Sequence, residues 1–479
     1  MARINTNVSA IAAQTNLARS TRDLNTTLQR LSSGLRINRG ADDPAGLIAS
    51  ETLRSEMASI TQAIGNSQRA SNVIATAEGA LAEVSSLLIN IKELTVQSAN
   101  SGALSKEEID ANQLQVDSAI DSITRIANAT SFAGLHLLNG NLSYVTSGVA
   151  TSAVGALDIY SAKLGSQDYM SVKISGVLSA QRGALQFRTS QVDRAVTLEI
   201  ASRHGVEVFS FVSGYRTSNI VSAINAVTEA TGVSAVFINS SNRSSGVIFR
   251  SVDYGSDAYV SVRALPSSSG TFTVTDSAGT TKQRDQGRNV VATINGATSV
   301  GTGQEIILNT NALDLRLKLD THFGAGNSTT FAITGGGAMF QLGPHINSSE
   351  QTSVGIKSIA ASRLGNTEIG FLNEVSTGGS ASLVSGNSSQ ASKIVEEAIR
   401  QIAVLRGRLG AFEKNTLDTN MNSLRITLQN VTSSESSIRD ADFATETAKL
   451  TRSQILVKAG TSVLSLANQT PQSVLALLQ

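Results

Sequence analysis

The side chains that could do chemistry are few: four histidines, His136, His204, His322 and His345, one acidic pair, Asp42-Asp43, and one triple glycine, Gly335 to Gly337. Metal-assisted hydrolysis on a helix needs two histidines one turn apart with a glutamate beside the first, so that ligands and base share a face. The nearest approach is His204-Gly-Val-Glu207, which lacks the second histidine and sits in an alternating pattern, so His204 reads as a solvent-facing strand residue. Asp42-Asp43 could attract a cation, but Pro44 suits a first helical turn and Asp43 is explained as the cap before it. The triple glycine could wrap an anion, yet no lysine or helix start follows it, and it reads as a loop. No G-x-S-x-G, no P-loop and no G-x-G-x-x-G after a strand occurs. With no cysteine, thiol catalysis, disulfides and Cys-based metal sites are excluded. The sequence therefore predicts no catalytic residue, no cofactor site and no metal site, and the chain is not expected to be an enzyme.

The elements available to position side chains fall into two kinds. Seven glycines lie in residues 1–139 and three in 391–479, whereas the other 29 lie between them. Because glycine interrupts helices and serves turns, the ends should be helical and the middle strands and loops. Leu53, Met57, Ile60 and Ile64 step by four, three and four; after a polar gap holding Ser67 and Ser71, the seam resumes at Ile74, Ala77, Leu81, Val84, Leu88 and Ile91. A helix from about Pro44 to Asn100 would run roughly 85 Å at 1.5 Å per residue. A second should run from Ser105 to about Ala129, opened by the capping box Ser105-Lys-Glu-Glu108. Toward the other end Ala398, Ile402, Leu405, Leu409 and Phe412 continue the pattern, and Met421, Leu424, Leu428, Val431 and Ile438 follow after a phase slip.

The extremities are apolar too: Ile4, Val8, Ile11, Leu24, Leu28, Leu31 and Leu35 at the start, Ile455, Val463, Leu466, Val474 and Leu478 at the end. Four such stripes exceed what one slender helical molecule can cover, which predicts self-association through the terminal segments. Net charge of +1 gives no field for nucleic acid, and no run of 18 apolar residues supports membrane insertion. The start shows no conventional signal peptide, so export would use another route.

In the middle, Val196 to Ile200, Val206 to Val212, Ser234 to Ile238, Val247 to Phe249 and Ala258 to Val262 alternate or run as short strands. A helix over Asn219 to Thr228, capped by Ser218, is predicted among them. The expected fold class is α+β multidomain: a long antiparallel α-helical coiled-coil or bundle core from both termini, with β-rich outer domains inserted in the middle.

LNTTLQRLSSGLRINRGADDPAGLIASETLR (Leu24 to Arg54), SANSG (Ser98 to Gly102), ESSIRDADFATETAKLTRSQIL (Glu435 to Leu456) and ANQTPQSVLALLQ (Ala467 to Gln479) closely resemble bacterial flagellin. Ser218 to Phe237 resembles the flagellin IN motif of variable outer domains, and Arg288 to Gly303 looks like a weaker second copy. The resemblance implies a filament subunit exported unfolded by the flagellar type III apparatus to the cell exterior for swimming motility. It implies inner-tube segments at 1–43 and 440–479, the former a helix and spoke, and outer-tube segments at 44–140 and 345–439. Between them would lie a β connection at 141–165, a first outer β-rich domain of IN type at 166–265 and a second outer β-rich domain at 266–344. The terminal stripes would then be inner-tube assembly surface, and Leu53, Met57, Ile60, Ile64, Leu81, Val84, Leu88, Ile91, Leu405, Leu409, Phe412, Leu424 and Leu428 the outer-tube seam.

Implied partners are further copies of the chain, an export chaperone, and the cap and hook-junction proteins. The family's innate immune receptor binds the segment matching Leu88 to Gln97; here Glu93, Leu94 and Gln97 keep the pattern, but Ile89 replaces Gln and Asn90 replaces Arg. Asn90 cannot supply a forked, permanently charged donor, so weak receptor activation is expected. Two alternatives stand beside the filament subunit: a hook-filament junction protein, against which the IN-type insert and the NQTPQSVLALLQ ending speak, and a subunit whose outer domains also act as an adhesin.

Overall fold

The computed structural model describes residues 6–165, 167–266, 270–324 and 326–476, with side chains described to residue 469. Eight α-helices occur among them: α1 Val8–Ser33, α2 Pro44–Ser98, α3 Lys106–Ala129, α4 Thr217–Asn225, α5 Thr228–Thr231, α6 Ser388–Phe412, α7 Thr419–Arg439 and α8 Phe443–Ala476. Helices thus occupy both ends and antiparallel strands fill the middle, as the glycine distribution requires. Two compact units divide the chain: residues 1–72, 341–346 and 411–479 form one, and 73–340 with 347–410 the other.

In the first unit α1 and α8 pair antiparallel. Asn7 joins them, since its Oδ1 accepts from Ala10 N at 3.0 Å as the cap of α1 while its Nδ2 donates to Ala467 O at 2.7 Å. Helix α1 stops at Gly34, whose φ of 74° only glycine adopts cheaply. The chain after it is tied to the α7–α8 connection: Arg36 N donates to Arg439 O (2.7 Å) and Ala441 N to Gly34 O (2.9 Å), with Ile37 fully buried beneath. Asp43 caps α2 through Gly46 N at 2.9 Å, as predicted, and Asp42 caps the preceding turn, accepting from Asn38 N and Arg39 N at 3.0 and 2.9 Å. Early α2 packs on α7 through Ile60, Ala63 and Leu424, flanked by Ile64, Leu428 and Val431.

The phase slip in the C-terminal stripe has a physical form. Between α6 and α7 the chain makes a π-helical segment, Glu413–Asp418, without breaking the helix. A π turn inserts one residue and rotates everything downstream, which returns Met421 and Leu424 to the buried face. Leu417 within it is fully buried, a core residue that the stepping pattern did not include.

In the second unit the remainder of α2 buries Ile74, Ala77, Leu81, Val84, Leu88 and Ile91 completely. This explains why α2, by length and composition apolar enough to cross a membrane, carries so much hydrophobic surface. Helix α3 begins with the predicted capping box, Ser105 N donating to Glu108 Oε2 at 2.7 Å and Glu108 N to Ser105 Oγ at 3.3 Å. A five-stranded antiparallel sheet and a three-stranded one enclose a core around Ile174, Leu315, Leu317, Phe331 and Ile333. A four-stranded sheet, another three-stranded sheet and α4 enclose a second core, where Phe187 and Phe272 stack at 3.8 Å.

Three expectations need correction. Helix α4 starts at Thr217, after Arg216, and Ser218 does not cap it; the Thr217 hydroxyl donates instead to Ser190 O and Arg243 O, fixing the start two residues earlier. The helix also ends at Asn225, whose amide pairs with both backbone groups of Ala235, and a separate short turn, α5, follows. His204 lies in the turn between strands 196–201 and 206–211 rather than in a strand, and pairs with Asp253 at 2.7 Å. Residues 291–300, within the weaker second copy, fold as a hairpin around Asn295-Gly296, with φ of 48° and 86°.

Candidate assembly surfaces

Nothing in the geometry gathers the chemically capable side chains. His322 is exposed beside Asp320, His136 is on an exposed two-residue strand, and His345 lines an open groove with Leu47, Ile48 and Glu51. Among the described residues no group of three or more His, Cys, Asp or Glu could hold a metal ion. The triple glycine is not the expected loop: Gly335 and Gly336 end the strand 329–336, paired with Val145 and Tyr144, and the run serves packing. All three residues have positive φ, and a methyl group on Gly337 would lie 2.8 Å from Tyr144 Cζ. The Tyr144 hydroxyl that these glycines admit donates to Ser353 Oγ at 2.7 Å and accepts from Ala162 N at 2.9 Å.

The surfaces with unusual chemistry are the outer faces of α1 and α8. Where these two helices meet, the buried residues other than Glu446 are small: Ala13, Thr27, Ser453 and Ala467, with Gly460 against a half-buried Leu17. Small residues let the backbones approach but bury little apolar area. Seven large side chains point away: Val8 is 66% exposed, Ile11 60%, Ile455 63%, Val463 55% and Leu466 66%, with Leu28 and Leu456 each at 46%. Leu24, Leu31 and Leu35 are half-buried, Leu35 bridging to Asp440. Ile4 and Leu478 lie outside the described residues, and Val474 belongs to α8 with its side chain outside them.

One polar group in that pair was not anticipated. Glu446 is nearly buried, 3.5 Å from Arg30 and 2.8 Å from Lys449, while its Oε2 has no partner. Asp442, capping α8 from the end of the connection, accepts from Ala444 N, Thr445 N and the Thr445 hydroxyl. The Thr445 hydroxyl first, and the two backbone amides after it, hold the Asp442 carboxyl below the usual carboxylate range.

Of the seam residues, Ile60, Leu81, Val84, Leu88, Ile91, Leu409 and Leu424 are buried, and Leu53, Met57, Ile64, Leu405, Phe412 and Leu428 are half-buried. The polar gap is built into this packing. Ser67 is fully buried, donating to Ala63 O and accepting from Asn420 Nδ2 at 3.3 Å; Ser71 donates to Glu413 Oε1 at 2.5 Å. Both therefore face the π segment and its flank. On the α2 segment 88–97, Ile89, Asn90, Glu93 and Gln97 are exposed, whereas Leu94 is buried and turned inward. Lys92 reaches Ser392 and Glu396 of α6. Gln113 of α3 clips a loop, donating to Val375 O at 2.9 Å and accepting from Leu383 N at 2.7 Å, a contact between residues some 260 positions apart that no local pattern foreshadows.

Two family models match this chain, the bacterial flagellin N-terminal helical region over residues 4–143 and the bacterial flagellin C-terminal helical region over residues 392–478. A flagellin from Salmonella rubislaw is 29% identical over 99% of both chains. Flagellin A of Helicobacter pylori and the B-type flagellin of Pseudomonas aeruginosa are also 29% identical, again over 99% of each chain. Among solved structures, a flagellar hook associated protein-3 from Legionella pneumophila overlaps 81% of this chain and 98% of its own at 14% identity and a TM-score of 0.31, too low to bear on the fold.

Proposed function

This chain belongs to the bacterial flagellin family, the structural subunits of the flagellar filament, and from that premise we propose that it is exported unfolded and polymerises outside the cell into a filament for swimming. The observation that carries the reading is the apolar outer face of α1 and α8: few large side chains are fully buried between the helices, and Val8, Ile11, Ile455, Val463 and Leu466 stay exposed. Isolated, that arrangement leaves apolar surface in water; stacked against copies, each such side chain regains on the order of 1 kcal/mol at half exposure. On this reading residues 1–43 and 440–479 line the inner tube, 44–140 and 345–439 the outer tube, and 141–344 the exposed outer domains. An export chaperone, cap and hook-junction proteins are the other partners, as in the family.

Dissociating purified material by heat or acid and adding short filament seeds tests this directly. Elongation from the seeds, seen by electron microscopy, is the expected result; persistent monomers with intact termini would contradict it.

The exposed Asn90 supports one finer expectation. Receptor activation by this subunit should be weak, and Asn90→Arg should raise its potency in a reporter-cell assay, because guanidinium adds a forked charged donor where an amide stands. Full potency of the unchanged protein would sink it.

A further inference from the structure

The three-stranded sheet formed by residues 305–309, 313–319 and 154–162 has two unlike faces. One carries Ile306, Leu308, Leu315, Leu317 and Ile159 into an apolar core whose members all lie between residues 144 and 333, with none from α6. The other face carries charge, and that face meets α6 and the 357–368 loop. Arg408 of α6 donates to Asp314 Oδ2 at 2.9 Å and lays its guanidinium 3.3 Å from the centre of the Tyr160 ring. Lys357 pairs with Asp158, and Lys318 with Glu368 at 2.5 Å. Within the sheet Arg316 bridges Asp158 and Glu305 at 3.5 and 3.7 Å, extending the Lys357–Asp158 pair, while Arg408–Asp314 and Lys318–Glu368 stand as separate pairs on the same face.

Each pair keeps solvent contact, and such pairs weaken with added salt, over a screening length of about 8 Å at 0.15 M against about 3 Å at 1 M. Apolar packing would hold this face regardless of salt. Backbone bonds such as Gly355 N to Tyr160 O at 2.8 Å supply a connection about which the face can turn without separating. The buried Asp314 Oδ1 has no partner, so the charged face is not fully satisfied even in this packing.

We propose that this charged face is an ionic joint that lets the β-rich region tilt against α6, with Arg408 as its central contact. The joint confines motion to one seam, leaving both the helical stripe of α6, with Ile394, Ala398 and Ile402 buried, and the core of the sheet undisturbed. It yields to ionic strength or to load before either apolar core does. Its operation does not depend on polymerisation.

Because the chain has no cysteine, paired labels can be placed uniquely. Val300→Cys and Val404→Cys, both at exposed positions, put one spin label in the β-rich region and one on α6 of the full-length monomer. Pulsed electron resonance then reads the distance distribution at low salt and at 1 M sodium chloride. A distribution that is narrow at low salt and broad and displaced at high salt is expected. Arg408→Ala should be broad already at low salt, and Lys318→Gln with Glu368→Gln should give an intermediate width, all with unchanged helical circular dichroism. An unchanged distribution between the two salt conditions, with all the pairs unsubstituted, overturns the joint, and needs no variant to fold.

Discussion

Tyr144 shows how one side chain dictates the backbone around it. Its ring occupies space that Gly337 and Gly355 leave open, and its hydroxyl closes a triangle with Ser353 and the backbone of Ala162. Gly337→Ala should cost about 1–3 kcal/mol from the positive φ alone, and more from the clash with the ring. Gly279→Ala is the control, since Gly279 has a φ of 85° with open space around it and carries only the backbone cost. Chemical denaturation of both variants should show the larger loss at Gly337; equal losses would mean that the ring moves aside freely. A second residue-scale expectation concerns acid. Asp42 is held below the ordinary carboxylate range, chiefly by the backbone amide of Arg39 and then that of Asn38. Its folded value being depressed, the stabilisation is present above the unfolded value of about 3.9 and lost as pH falls through the folded value. Asp42→Asn should therefore flatten the acid dependence of the melting temperature between about pH 5 and pH 2, while leaving the melt near neutrality slightly lower.

At the scale of elements, the long stripes, the capping box at Ser105 and the Asp43 cap were legible because each is a local pattern of period or spacing. The π segment was not: inserting one residue changes no composition, and the sequence shows only that Phe412 and Met421 fall out of step. Nor could sequence pair Asp158 with Lys357 or Asp314 with Arg408, because outward charges on a strand look the same whether solvated or matched across the fold. Ser67 and Ser71 carried a partial signal, two hydroxyls in an apolar seam, whose meaning depends on Asn420 and Glu413 opposite. Small polar contacts beside a π turn cost little to rearrange compared with interlocked Leu and Ile side chains, so we propose this stretch as the place where the packing of α2 on the C-terminal helix changes. Ser67→Leu with Ser71→Leu should fix it in a single arrangement. Filaments of the double variant should lose the ability to change helical form with pH or salt in dark-field microscopy; an unaltered range of forms would count against the idea.

For the whole molecule, the composition becomes intelligible once the outer faces of α1 and α8 are seen. On the proposed route of export and assembly, a chain without cysteine would form no wrong crosslinks in transit, and a net charge of +1 would add little repulsion between stacked copies. The terminal pair would be weakly stabilised alone, since its buried apolar residues are alanines and its leucines are at most half-buried, and its stability should come from neighbours. That separation can be measured. Ile11→Lys and Ile455→Lys alter side chains that are 60% and 63% exposed, so the monomer should melt within about 0.5 kcal/mol of the parent. In a filament the same positions would bury an unpaired ammonium, a penalty of several kcal/mol per ion. Seeded elongation followed by sedimentation should then fail for both variants while their monomer melts stay unchanged. If both elongate normally, the exposed stripes are not the assembly surface, and subunit contacts must be sought on α2, α3 and α6 instead.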